Sequence, residues 1–600
     1  MKLGKRPVIL AVAIGAALTI AACTYPFGGS RSAQGWTEKQ RASWYWASQG
    51  SRLMPAAWFD ALERTASTEK FADPSHLAGF GFVLPPAGSD ISRPIGFAKD
   101  IQADEGFPIG GMSWYEGQSH TKRGAEAWVG LNCSACHTAR ISYQGTATTI
   151  DGGPNLLDFQ GFVESLDDAL KATQSDPAKW ERFAAEVLAG KDTPANRDML
   201  TDAFDTLLAW QIKTDRMNET PLRYGFGRLD AVGHIFNKVL MFNGADGSRG
   251  NPSNAPVSYP FVWDIWRQDR VQWNGIARNS RFQLPGDSFE YGALGRNTGE
   301  VLGVFGEVIV EGPGGLTGFR STVQTENLVE LELILQKLRA PVWPDHFPAI
   351  DEARAARGAE LFKQKCASCH LTPDMQKEGE PTEVMVTFEE TMNTNSRDLT
   401  DIWMACNAFV YRGPTGPMRG MKDADDVALG AEAEVANMLA VAVKGSLFGD
   451  KEGLVNAAVK NFFGVRRPPV IVEALPADRV AENRRTCLTT SNPLLAYKAR
   501  PLDGIWATAP YLHNGSVANL YDLLLPAEER QGSFWVGSRE FDPQKVGYVT
   551  TQPDTGGFLL RTRNSSGAVI EGNSNAGHEY GARALTEDMR LDLVEYMKTL

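Results

Sequence analysis

The chain has 600 residues, 43% of them hydrophobic, which is more than one hydrophobic core usually serves and points to several globular units. With 59 glycines and 33 prolines, much of it is expected to be loop. A net charge of −12 argues against nucleic acid or an anionic lipid surface as partner; a basic protein remains compatible. The chain opens with Lys2, Lys5 and Arg6 and continues in an apolar, small-residue stretch from Val8 to Ala22. That stretch is short for a membrane span and reads as a cleaved export leader over 1–22. It ends Ile20-Ala21-Ala22-Cys23, similar to a bacterial lipobox, so Cys23 is expected to carry a lipid anchor on the periplasmic side of a membrane. Residues 23–120 read as a leading segment with aromatic anchors at Trp44, Tyr45 and Trp46.

Next comes a repeat. Arg123-Gly124-Ala125-Glu126 precedes Cys133-Ser134-Ala135-Cys136-His137, and Arg357-Gly358-Ala359-Glu360 precedes Cys366-Ala367-Ser368-Cys369-His370. The match predicts the same helix-then-loop unit twice, the first over 121–339 and the second over 350–600. Residues 140–320 exceed what a minimal unit needs and are expected to wall the first site. Thr325 to Leu338 places Leu328, Leu331, Leu335 and Leu338 on one helical face, with Thr325 as its cap. Ala340-Pro341-Val342-Trp343-Pro344-Asp345-His346-Phe347-Pro348 will not continue a helix and marks the boundary. A last helix is expected after Thr586, with Met589, Leu593, Tyr596, Met597 and Leu600 as its apolar stripe.

CxxCH is the attachment motif of c-type haem: two thiols bond the porphyrin edge and the adjacent His reaches the iron. A zinc site would need further clustered Cys or His, and a dithiol enzyme would not need a His after the second Cys in both copies. Two covalent haems are therefore expected, on Cys133, Cys136 and His137 and on Cys366, Cys369 and His370. The fold class expected is mainly α, two cytochrome c-like modules with long loop-rich insertions. Of the seven cysteines, Cys406 and Cys487 remain beyond these four and Cys23, free to form a disulfide in an oxidising compartment. Function turns on the second axial position of each iron, because a doubly ligated iron carries electrons and one with an open face takes oxygen or peroxide. Candidates are His76, His120, His234, His346, His513 and His578, with Met418 and Met421 as rivals.

The run Ala509-Pro510-Tyr511-Leu512-His513-Asn514-Gly515-Ser516-Val517, inside Tyr497 to Val517, resembles the signature of di-haem cytochrome c peroxidases and MauG-type proteins. With Leu523 to Pro526, Val536 to Asp542 and Gly572-Asn573-Ser574-Asn575-Ala576-Gly577-His578, it is more similar to the rubber oxygenase (RoxA-like) branch. The resemblance implies a bis-histidine second haem on His370 and His578, and a first haem with His137 as its one assigned ligand. It gives Trp273, in Val271-Gln272-Trp273-Asn274-Gly275, a place between the haems. It makes Glu300, at the end of Leu294-Gly295-Arg296-Asn297-Thr298-Gly299-Glu300, a distal proton carrier. His234 stands as a distal base or sixth ligand of the first haem, against a packed helix histidine, and His513 as a support near the second. The reading is an exported oxidoreductase, a peroxidase or oxygenase, using oxygen or hydrogen peroxide with a small redox protein as donor. An isoprenoid substrate and a calcium ion stay open, and the alternative is a membrane-anchored electron carrier.

Overall fold

The computed structural model describes residues 29–31, 34–85, 91–103, 125–245, 250–279, 292–310, 318–372, 375–377, 382–423, 426–448 and 480–600. The leader, Cys23, His120, Arg123 and Gly124 lie outside the described residues. Helix α1 (Glu38–Trp46) starts at a capping box between Thr37 and Gln40. It buries Trp44 and Tyr45, as expected of the leading segment's anchors, and its Arg41 and Tyr45 both bond the buried carboxylate of Asp151. Two small sheets follow: Met54–Pro55 and Phe97–Ala103 flank Ala125–Leu131, and Thr138–Tyr143 forms a hairpin with Thr146–Asp151. The hairpin turns through Gln144 and Gly145, both at positive φ, the primed turn that suits strand twist.

The segment leading into the first CxxCH motif is thus a strand, Ala125–Leu131, and not the predicted helix. Trp128 and Val129 suit a strand, the pairing with 97–103 runs its whole length, and a Cβ on Gly130 would meet the Ser51 carbonyl oxygen at 2.1 Å. In the second copy the helix does form, α2 (Glu352–Lys365), capped by the Asp351 side chain. It crosses the last helix, α3 (Glu587–Met597), which Thr586 caps as expected. Gly358 sits at the crossing, where a Cβ would lie 1.9 Å from the Asp592 carbonyl oxygen. Arg354 and Arg357 pair with Asp592 beside it. So Arg357-Gly358 serves a helix crossing, while Ala125-Glu126 serves a sheet.

The helix of 325–338 runs Thr325–Leu335; Gln324 holds the cap position without a side-chain bond, so Thr325 is not its cap, and Leu338 is buried beyond its end. The proline-rich run 340–348 is irregular, yet the cores do not divide there. One core joins Trp44, Ile150 and Phe261 to Trp506, Phe541 and Leu593. Another joins the helix Ala231–Phe242 to Trp403–Val410 and Val435–Phe448. A third lies wholly in the first half, around Trp58, Trp128 and Phe162. Cys406 and Cys487 form a disulfide with Cα atoms 5.6 Å apart, both sulfurs inside the second of these cores. Closing a loop of sequence separation 81 restricts the unfolded chain, so C406A/C487A is expected to lower the unfolding free energy by about 2–5 kcal/mol in denaturant titration. An unchanged midpoint would contradict that role. Among the described residues no helix is long and apolar enough to cross a membrane.

Candidate haem sites

The two CxxCH motifs fold into the same turn. The Cys133 carbonyl accepts from the N–H groups of Cys136 (3.2 Å) and His137 (2.9 Å), and the Cys366 carbonyl accepts from Cys369 (3.1 Å) and His370 (2.9 Å). Each histidine then gives its Nδ1 to a backbone carbonyl: His137 to Pro260 at 2.7 Å, His370 to Arg500 at 2.8 Å. A carbonyl can only accept, so Nδ1 carries the proton and Nε2 keeps its lone pair for a metal. Burial keeps both rings neutral, with His137 pushed down to about 4. Burial also pushes the thiols up, Cys133 and Cys366 to about 11 and Cys136 to about 12. Such thiols lack the low-pKa thiolate of a dithiol oxidoreductase. Among the described residues no group of three or more His, Cys, Asp or Glu is arranged as a metal cage.

Around the second motif lies a cavity of about 260 Å³, lined by Cys366, Cys369, His370, His578, Trp273 and Arg500 among others. His370 and His578 face each other with ring centroids 6.1 Å apart. Two imidazole nitrogens bound to one metal at about 2.0–2.1 Å, with about 1.1 Å more to each ring centre, set centroids roughly 6.2 Å apart. The pair therefore fits a single iron between the rings, and the cysteines on the same cavity wall fit the porphyrin edge. His578 is held, not mobile on its polar loop. Its N–H donates to the Asp398 carbonyl (3.0 Å), and the N–H groups of Glu579 and Tyr580 donate to the Asp398 carboxylate (3.1 and 2.6 Å). Arg530 donates to the carbonyls of Asn575 and Gly577 at 2.7 and 2.8 Å. His578 itself has φ 53°, a left-handed conformation that this clamp sustains.

Between the motifs runs Ser258-Tyr259-Pro260-Phe261. Tyr259 lies 6.4 Å from the His137 ring, and Ser258, Tyr259 and Phe261 also line the cavity around the second motif. Trp273 donates Nε1–H to the Ser258 carbonyl at 2.9 Å and borders the same cavity, 6.4 Å from His513. His513 stacks on Tyr497 at 4.0 Å and shares the cavity wall. Glu300 accepts from the Gln272 amide, and its charge acts on both Cys133 and Cys136, which places it with the first motif. Desolvation pushes its carboxyl up to about 7, opposed by the Gln272 bond and by Arg296. His234 packs edge-on against Tyr224 and Phe159, neither in a CxxCH turn, and burial holds it down to about 4. Met418 is fully buried, with Asn243 donating to its sulfur at 3.4 Å; Met421 packs on the same core. His76 stacks edge-on with Phe71 and Phe80, and His346 lies 3.4 Å from the Thr148 hydroxyl. Sequence reasoning missed Pro260, Asp398 and Arg530, and it gave Arg500 no part although Arg500 lies inside the quoted Tyr497–Val517 run.

The uncharacterized protein y4iJ of Sinorhizobium fredii is 32% identical to this chain over 603 residues, covering 94% of the chain and 92% of that protein. The chain belongs to the y4iJ family. A second relative from the same organism, the uncharacterized protein y4iM, is 36% identical over 152 residues, 22% of this chain and 34% of that protein. Residues 496–536 of this y4iJ-family chain match a family described as RoxA-like, cytochrome c-like. The matched segment contains Arg500, the His513 run and the carbonyl that fixes His370. A domain of this type implies covalently bound haem c and marks the chain as a c-type cytochrome oxidoreductase.

Proposed function

We propose that this y4iJ-family protein is an exported di-haem oxidoreductase of the peroxidase or oxygenase kind. One haem belongs to Cys133, Cys136 and His137, the other to Cys366, Cys369, His370 and His578. The observation that carries the reading is the inequality of the two sites. His370 has His578 opposite it at 6.1 Å, whereas the ring in described contact with His137 is Tyr259. Haem c, when bound, supplies one-electron transfer at both sites and reduction of oxygen or peroxide at the one with a free face.

The chain's own groups orient and protonate. Pro260 and Arg500 hold the two proximal rings in the tautomer a metal needs. Trp273, tied to Ser258 and Lys498, holds an aromatic ring on the wall between the sites. Glu300, close to neutral in its balance between acid and carboxylate, accepts or returns a proton beside the first motif. His234 serves as packing for that region rather than as a ligand. The disulfide supports an oxidising compartment, in line with an export leader and a lipid anchor at Cys23 on the periplasmic side. In a peroxide reaction the reducing equivalents would come from a small redox protein; in an oxygenase reaction the organic substrate would be an isoprenoid.

Turnover separates an enzyme from a carrier. Haem-loaded protein is expected to consume hydrogen peroxide with a reduced cytochrome as donor, or oxygen with a polyisoprene emulsion, whose cleaved double bond takes up both oxygen atoms without an external donor. Electron exchange without consumption of either oxidant would overturn the enzyme reading. The Glu300 carboxyl is protonated below its raised value and ionised above it, so a base role predicts activity rising with pH through about 7. E300Q is expected to lose that limb and to be about 10²–10⁴-fold slower. An unchanged pH profile would remove Glu300 from proton transfer.

A further inference from the structure

Arg500 stands where the two sites meet. Its guanidinium lies between two aromatic faces, 4.2 Å from the Phe261 ring centroid and 4.2 Å from that of Trp273. Phe261 directly follows Pro260, whose carbonyl takes the His137 proton, and the Arg500 carbonyl takes the His370 proton. One side chain is therefore within a residue of both proximal hydrogen bonds, and its charge acts on both imidazoles. The stacking covers the faces of the guanidinium and leaves its in-plane N–H donors. Among the described residues no carboxylate or carbonyl accepts from them. A cation partly withdrawn from water without an anion is unfavourable, so the geometry calls for one. Arg500 lines the second cavity, and the group that cavity fits brings carboxylates of its own.

We propose that Arg500 binds a propionate carboxylate of the haem on Cys366 and Cys369, and that its charge raises the reduction potential of both centres. This rests on the two-haem reading above. Removing the guanidinium would leave an uncompensated carboxylate and withdraw a positive charge that acts on both imidazoles, so both oxidised states would gain stability relative to the reduced ones. Lysine keeps the charge without the planar fork, and glutamine keeps donors without the charge.

The test uses full-length haem-loaded protein. Covalent haem is counted first, in wild type, R500K, R500Q and R500L; fewer than two in wild type would defeat the two-haem reading itself. Spectroelectrochemical titration then reads each centre. In R500Q and R500L the reduction equilibrium constant of both centres is expected to fall at least tenfold, about 59 mV for a one-electron couple. R500K should retain most of the wild-type value at both. Haem-replete R500Q with either potential unchanged overturns the proposal while leaving the two-haem reading intact. Resonance Raman spectra of the wild type need no variant: a propionate bending band at the position of a strongly hydrogen-bonded carboxylate supports Arg500, and one at the position of a freely solvated carboxylate overturns it.

Discussion

H578A is expected to convert the second haem from low-spin to high-spin essentially completely, with free imidazole restoring the low-spin state. The 6.1 Å separation of the His370 and His578 rings leaves room for one metal and its two bonds. The loop backbone is clamped by Asp398 and Arg530, so it is expected to keep its place when the imidazole is removed. Gly577 offers a second way to the same result. It has φ 83°, and an added Cβ would lie 2.5 Å from the carbonyl group of Leu399 and the N–H of Thr400. G577A therefore displaces the following histidine without touching its chemistry. The two variants should share the spin change, read in the visible absorption spectrum. H578A that remains low-spin would assign the sixth position elsewhere.

Removing the second attachment pair, C366A/C369A, is expected to halve covalent haem from two to one per chain and to destabilise the protein severely. The cavity on that site measures about 260 Å³. If left empty, at about 24 cal/mol per Å³ it would cost on the order of 6 kcal/mol, comparable to the whole stability of many domains. Water entering around Lys365, Asp398 and Arg500 would reduce that figure. C133A/C136A should likewise leave one haem, with the low-spin spectrum retained, because His370 and His578 are untouched. Haem content by pyridine haemochrome and unfolding midpoints in denaturant read both variants. Two haems in either variant would show that the motif removed does not carry one.

What the sequence disclosed follows from where the chemistry resides. Covalent haem attachment needs two thiols and an imidazole at fixed spacing, so Cys133, Cys136, His137, Cys366, Cys369 and His370 are legible as side chains. His578 is legible through the Gly572–His578 run. The acceptors that orient the proximal rings are not, because Pro260 and Arg500 act through backbone carbonyls, which every residue has. Asp398 lies 180 residues before the loop it holds, and nothing in its neighbours links it to that loop. The first Arg-Gly-Ala-Glu copy suggested a helix from local resemblance, but the strand Ala125–Leu131 is decided by its partner at 97–103. Local propensity yields to pairing of this kind. The proline-rich run at 340–348 did mark a break in regular structure. It did not mark a break in packing, since Phe261 and Trp506 fall in one core.

Both CxxCH motifs use the same turn and the same Nδ1-to-carbonyl bond, so the proposed difference between them lies on the far face of each ring. Low-temperature electron paramagnetic resonance of the oxidised, haem-loaded protein reads that face directly. The account predicts one high-spin and one low-spin ferric signal in equal amounts, the low-spin one lost in H578A. Two low-spin ferric signals and no high-spin signal in the oxidised protein would contradict it.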